Sequence, residues 1–226
     1  MKIKTLALIA FFGFVFIDTL GIILPNTIDR QITTYFPIPI LLLVFVLFTK
    51  LSRPLHVIAL IFTFLGVCFF STNLDKQQRI GLLFYSCGII IYIYNILRVQ
   101  NVFNLNSVIK YALVFILVLL IPTLFYLNHI DKNLFYPIVF YINGVGFLFY
   151  VSILSYVNSK TKFNRALLTS GILLALSTIF AGHNLFMGKS SLTGMLNIVT
   201  FLLAHFYMSR YAIFQLQTDK EIVESK

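Results

Sequence analysis

Two side chains that can exchange protons lie inside long apolar stretches of this sequence, Asp18 and His205. An isolated carboxylate inside a membrane is costly, so Asp18 should be either protonated or paired with another group. A protonated aspartate can donate a proton and a histidine can accept one, which predicts that the two residues form the catalytic acid–base pair of a site facing lipid. The alternative is that Asp18 bonds to Thr19 or a neighbouring helix and His205 only packs.

Uncharged polar side chains in the same stretches are candidates for binding the polar part of a lipid. Converting position to depth at about 1.5 Å per residue places several of them near the level of the two proton carriers. Hydrogen bonding between helices is the alternative for Asn143, Asn184 and Asn197. The predicted substrate-binding residues are Asn143, Ser177, Thr178, Asn184, Asn197 and Tyr92.

Other kinds of reactive site have no support in the sequence. The histidines show no metal-ligand spacing with a carboxylate, and His56 and His129 are expected at the membrane interface. The sequence has neither a glycine-rich phosphate loop nor a GxSxG motif. We therefore predict no metal and no cofactor.

The composition requires lipid around most of the chain. Of 226 residues, 59% are apolar and 11% are charged, and the mean hydropathy is +0.94. A typical soluble chain has about a quarter of its residues charged, so a soluble globular protein is excluded. The net charge is +10, but the cations lie between apolar segments, which is typical of membrane topology and not of a nucleic-acid partner.

Eight apolar stretches are long enough to be membrane-spanning helices. The second is short and is entered through Pro37 and Pro39, which fit a first helical turn. The predicted spans are residues 5–24, 35–49, 54–71, 80–97, 109–127, 134–157, 166–186 and 191–214.

The connecting segments carry an uneven distribution of Lys and Arg, which sets the orientation. Of the 17 cations, all but five lie on the side of the N-terminus. We therefore predict that both termini are cytoplasmic. The five on the opposite side are Arg30, Lys76, Arg79, Lys132 and Lys189.

These features predict an all-α membrane protein, a bundle of about eight transmembrane helices in a bacterial inner membrane. Residues 1–214 should form one polytopic domain and residues 215–226 a short cytoplasmic tail. Expected partners are membrane lipids or lysolipids and no nucleic acid. The sequence leaves open whether the chain forms a homo-oligomer.

Several segments carry a family resemblance. SGILLALST (170–178) is similar to a Gly-Ala-rich run ending in Ser-Asp, FYMSRYAI (206–213) to Tyr-Tyr-Leu-Ala-Gln-Tyr, and Phe64-Leu65-Gly66 to Leu-Leu-Gly-Asp. With eight short-looped helices, the chain resembles the YhhN-like family of lysoplasmalogenases. These membrane enzymes cleave the vinyl ether of lysoplasmalogens to an aldehyde and a glycerophospho-base.

The chain departs from the family pattern at polar positions. Ser177 and Tyr92 match, but the two family aspartates are replaced by Val67 and Thr178. Other departures are Ile89 for His, Phe36 for Lys and Arg210 for Gln.

The resemblance therefore implies the fold and a lipid-like ligand, and it implies vinyl ether hydrolysis only if Asp18 and His205 supply the acid. Whether the chain is an enzyme stays open at this point. The alternatives are a non-catalytic lipid-binding or scaffold protein and a small proton-coupled carrier.

Overall fold

The computed structural model describes residues 2–72, 74–99, 105–126, 132–188 and 190–224. Within these ranges the chain is helical and contains no strand. The helices, in chain order, are α1 (Lys2–Ile23), α2 (Arg30–Thr33), α3 (Pro37–Thr49), α4 (Pro54–Phe70), α5 (Asp75–Val99), α6 (Leu105–Tyr126), α7 (Lys132–Asn158), α8 (Lys162–Phe186) and α9 (Ser191–Glu224).

Each of the eight predicted spans corresponds to one long helix. Helices satisfy their own backbone groups, which lipid cannot do. Both α3 and α4 begin with a proline, Pro37 and Pro54, at a position whose N–H would be unpaired in any case. The short helix α2 was not predicted; it begins where the Asp29 side chain accepts a hydrogen bond from the Gln31 N–H.

The all-helical class is confirmed, and the protein is an integral membrane protein. Among the described residues, six helical stretches are long and apolar enough to cross a membrane, one of them formed by α2 and α3 together. Helix α4 and the first part of α6 are shorter apolar helices. Helix α9 continues to Glu224, so residue 214 is not a helix end, and Gln215 donates to the Tyr211 hydroxyl one turn earlier at 2.5 Å.

The long helices run alternately up and down, which gives the bundle two ends. We call the end that carries Lys2 the near end and the end at which α1 stops the far end. Neighbouring helices form a ring in the order α1, α3, α4, α5, α7, α8, α9 and back to α1. Helix α9 also contacts α3 and α4, and α6 lies outside the ring against α7 and α8.

Small residues allow close approach between neighbouring helices. A methyl group added to Gly81 of α5 would lie 2.7 Å from the backbone nitrogen of Phe70 and 3.0 Å from the carbonyl oxygen of Gly66, both in α4. A methyl group added to Gly171 of α8 would lie 2.9 Å from the Ser152 hydroxyl oxygen of α7. Packing in membranes depends on such contacts because lipid offers no hydrophobic force between helices.

We expect Gly81→Ala to destabilise the bundle, because the added methyl group meets backbone atoms that cannot rotate away. The expected cost is about 1–3 kcal/mol, as for other overpacked sites. The measurement is the unfolding temperature of the detergent-solubilised protein by size-exclusion thermostability. Gly13→Ala is the matched control because nothing lies within 4 Å of the added methyl group. Equal unfolding temperatures for the two variants would contradict the close packing of α4 and α5.

Candidate functional site

A cavity of about 510 Å³ opens between the helices at the far end of the bundle. It lies where α1, α4 and α8 end and where α5, α7 and α9 begin. We call it the far-end cavity. Five of the eight predicted site residues line it: Asp18, Ser177, Thr178, Asn184 and Asn197.

Asp18 is almost completely buried, with 2% of its surface exposed. Its Oδ1 accepts hydrogen bonds from the hydroxyls of Thr33 and Thr34, both at 2.9 Å. It also accepts one from Arg30 Nε at 3.4 Å, which makes an ion pair. The carboxylate is therefore paired, as a buried charge requires, and its partners come from α2 and not from Thr19, whose hydroxyl donates to the Val15 carbonyl.

The remaining polar wall of the cavity comes from α8 and α9. The Ser177 hydroxyl donates to Asn197 Oδ1 at 2.8 Å, and the Thr193 hydroxyl donates to Asn184 Oδ1. These bonds join the two helices, as the interhelical alternative predicted. The Thr178 hydroxyl donates to a carbonyl of its own helix. These bonds hold the side chains in fixed positions along the cavity wall. Both bonds use the Oδ1 of the asparagine, and neither uses the amide nitrogen of Asn184 or Asn197.

His205 and Tyr92 belong to a second polar network in the interior. The Tyr92 hydroxyl lies 3.3 Å from His205 Nδ1, and His56 Nε2 lies 3.0 Å from the Ser209 hydroxyl. His56, expected at the interface, is only 3% exposed because its ring packs 4.2 Å from the ring of Phe45. His129 lies outside the described residues.

The described contacts give Asp18 and His205 different partners. Neither His205 nor Tyr92 is among the residues that line the far-end cavity. The acid–base pairing of Asp18 with His205 therefore stays a prediction that no described contact supports.

Asn143 lies away from the other predicted residues. Its side chain is exposed, and its amide donates to the Val139 carbonyl of the same helix at 2.7 Å. Asn143 was assigned to the site from its depth in the span. Depth does not tell which side of α7 a residue occupies, and the assignment to the site therefore had no lateral information.

The partners of Asp18 were not predicted. Arg30, Thr33 and Thr34 follow α1 in what reads as a connecting segment. The sequence did contain one signal for this pairing. Arg30 follows Asp18 by 12 residues and comes directly after Asp29, which caps α2. Among the described residues, no group of three His, Cys, Asp or Glu side chains is placed to hold a metal ion.

Comparison with known protein families gives a match over most of the chain. The model of the family described as the YhhN family matches residues 30–211. The matched range begins at Arg30 and so leaves out Asp18 and the rest of α1. No curated protein and no solved structure is similar enough to the chain to count as a match.

We expect Arg30→Gln to destabilise the far end, because the buried Asp18 carboxylate would keep two hydroxyl donors but lose its cation. The expected cost is about 1–3 kcal/mol, measured as a lower unfolding temperature in detergent. Arg79→Gln is the matched control, since Arg79 is an exposed arginine near the same end. An equal effect of both substitutions would show that the ion pair contributes nothing beyond surface charge.

Proposed function

The chain belongs to the YhhN family, and from this premise we propose that it is a lysoplasmalogenase-like hydrolase acting in the far-end cavity. One observation supports this most. Val67 and Thr178, the two positions at which the family pattern has aspartate, line the same cavity as Asp18. The acid missing from α4 and α8 is thus replaced by a carboxylate from α1.

The cavity suits the polar part of a single-chain phospholipid. Arg30 is the one cation among the described residues that line it and can bind the phosphate of the head group. Asn184 and Asn197 can hydrogen-bond to the glycerol hydroxyls. Apolar side chains such as Phe70 and Ile142 complete the wall and can contact the hydrocarbon chain.

Asp18 is the group that we assign to the chemistry. All three described hydrogen bonds go to Oδ1, so Oδ2 is the oxygen that can face substrate. Once Arg30 turns from Asp18 to the substrate phosphate, Asp18 can carry a proton on Oδ2. In that acid form it adds the proton to the enol ether carbon remote from oxygen, and the resulting carboxylate stabilises the oxocarbenium ion. Water then adds to the carbon bonded to oxygen.

The resulting hemiacetal collapses by cleavage of the bond between that carbon and the glycerol oxygen. One water is consumed, and the products are a fatty aldehyde and a glycerophospho-base with a free hydroxyl. The proton that the adding water loses returns the Asp18 carboxylate to its acid form, and the proton of the hemiacetal hydroxyl passes to the departing glycerol oxygen. The cycle therefore needs no co-reactant besides water.

Lipid binding without turnover is the second candidate. The observation that favours it is the full use of Oδ1 by three donors, which is what a purely structural carboxylate would show. Both candidates place a lysolipid in the same cavity, and measurement of aldehyde release separates them.

We also propose an orientation in a bacterial inner membrane, with the near end in the cytoplasm. The excess of Lys and Arg at the near end supports it. Green fluorescent protein fused after Lys226 should fluoresce in bacterial cells, and alkaline phosphatase fused at the same place should be inactive. Phosphatase fused after Ser190 should be active, and the reverse pattern would contradict this orientation.

We expect the purified protein in detergent to release aldehyde from lysoplasmalogen and none from the corresponding ester lysophospholipid. Asp18→Asn should lower the rate about 100-fold or more, since it removes the group that transfers the proton. Mass spectrometry of the released aldehyde is the measurement. Asp29→Asn is the matched control, because Asp29 is exposed and asparagine can also cap α2.

Restoring an acid at the family position tests the replacement argument directly. Thr178→Asp in the Asp18→Asn protein should recover part of the lost activity, because residue 178 lines the same cavity. Wild-type protein that binds lysoplasmalogen and releases no aldehyde would contradict the hydrolase and leave lipid binding as the function.

A further inference from the structure

A second cavity, of about 370 Å³, lies at the near end of the bundle. We call it the near-end cavity. It lies between the start of α4, the last turns of α5 and the later part of α9. It shares no lining residue with the far-end cavity, and the proposed hydrolase reaction does not use it.

The near-end cavity is positively charged. Arg53, half-buried just before α4, and Arg98, exposed in the last turn of α5, both line it. Of the residues whose side chains the structure describes, none that lines this cavity is acidic. The start of α4 borders the cavity with its positive end and the last turn of α5 with its negative end, so the two helix ends offset each other. The two guanidinium groups, one at the start of α4 and one at the end of α5, are what favours an anion.

Neutral hydrogen-bond donors complete the wall. Gln215 donates its amide to the Tyr211 hydroxyl oxygen at 2.5 Å, which leaves the Tyr211 O–H hydrogen to donate elsewhere. Asn95 contributes a further amide from α5. At the base, His56 is held by Ser209 and Tyr92 by His205, so the floor of the cavity is fixed.

The backbone fixes Arg53 in place. Lys50 and Leu51 have positive φ angles of 49° and 62°, which turn the chain sharply between α3 and α4. The Ser52 hydroxyl donates to the Thr49 carbonyl at 2.6 Å. The turn brings Arg53 to the cavity opposite the end of α5.

We propose that the near-end cavity binds a phosphate group. Two guanidinium groups suit phosphate oxygens because each can donate two parallel hydrogen bonds. The volume exceeds what a carboxylate would fill, and the site lies at the ends of α4 and α5, where a helix that crosses the bilayer is expected to meet the head groups. The phosphate belongs either to a lipid of the adjacent leaflet or to a soluble phosphate compound.

Binding to the full-length protein in neutral detergent tests this proposal. The probes are inorganic phosphate, dioleoyl phosphatidic acid and, as the lipid without phosphate, dioleoylglycerol, all at matched ionic strength. We expect one of the two phosphate probes to bind. Arg98→Gln and Arg53→Gln should each weaken binding about ten-fold or more. Binding of phosphatidic acid alone identifies a lipid head group, and binding of inorganic phosphate identifies a soluble ligand.

Arg210→Gln is the matched control, an exposed arginine at the same end that does not line the cavity. It packs on the rings of Phe206, Tyr207 and Phe214, and its removal should leave binding within about two-fold of wild type. Arg98 is exposed, so its variant should fold even if Arg53→Gln does not. The proposal is overturned if neither phosphate probe binds, if dioleoylglycerol binds equally well, or if Arg210→Gln weakens binding as much as Arg98→Gln.

Discussion

The absence of water in the hydrocarbon core governs this structure, because every polar group there must find its partner within the protein. Many buried hydroxyls do so locally: Thr63 and Ser86 each donate to the carbonyl four residues earlier. Such residues need nothing from other helices. Asp18 and His205 cannot satisfy themselves in this way, and around them the structure gathers groups from separate elements.

The positions of the long helices could be predicted because hydropathy over some 20 residues determines what can cross lipid. Helix α2 could not, since four residues carry no periodic signal and its place depends on Asp18. The depth of polar residues could be predicted from their position within a span, but the side of the helix that they occupy in the bundle could not. Ser177 donates directly to Asn197 of α9, whereas Asn143, at a similar depth, is exposed.

Helix α9 is the common wall of the two cavities. Its first half contributes Asn197 and Phe201 to the far-end cavity, and its second half contributes Met208 and Tyr211 to the near-end cavity. His205 lies between them: its ring is 4.7 Å from that of Phe201, which lines the far-end cavity, and 5.9 Å from that of Tyr92, which lines the near-end cavity. The two cavities therefore share α9 and the packing around His205.

The short distance along the chain between Asp18 and Arg30 bears on how the protein enters the membrane. The two residues are 12 positions apart, so they leave the ribosome almost together. The charge of Asp18 can be neutralised while α1 is being inserted, long before α8 and α9 exist. Insertion of the first helix therefore never leaves an acid without a partner in lipid, and biogenesis can proceed in chain order.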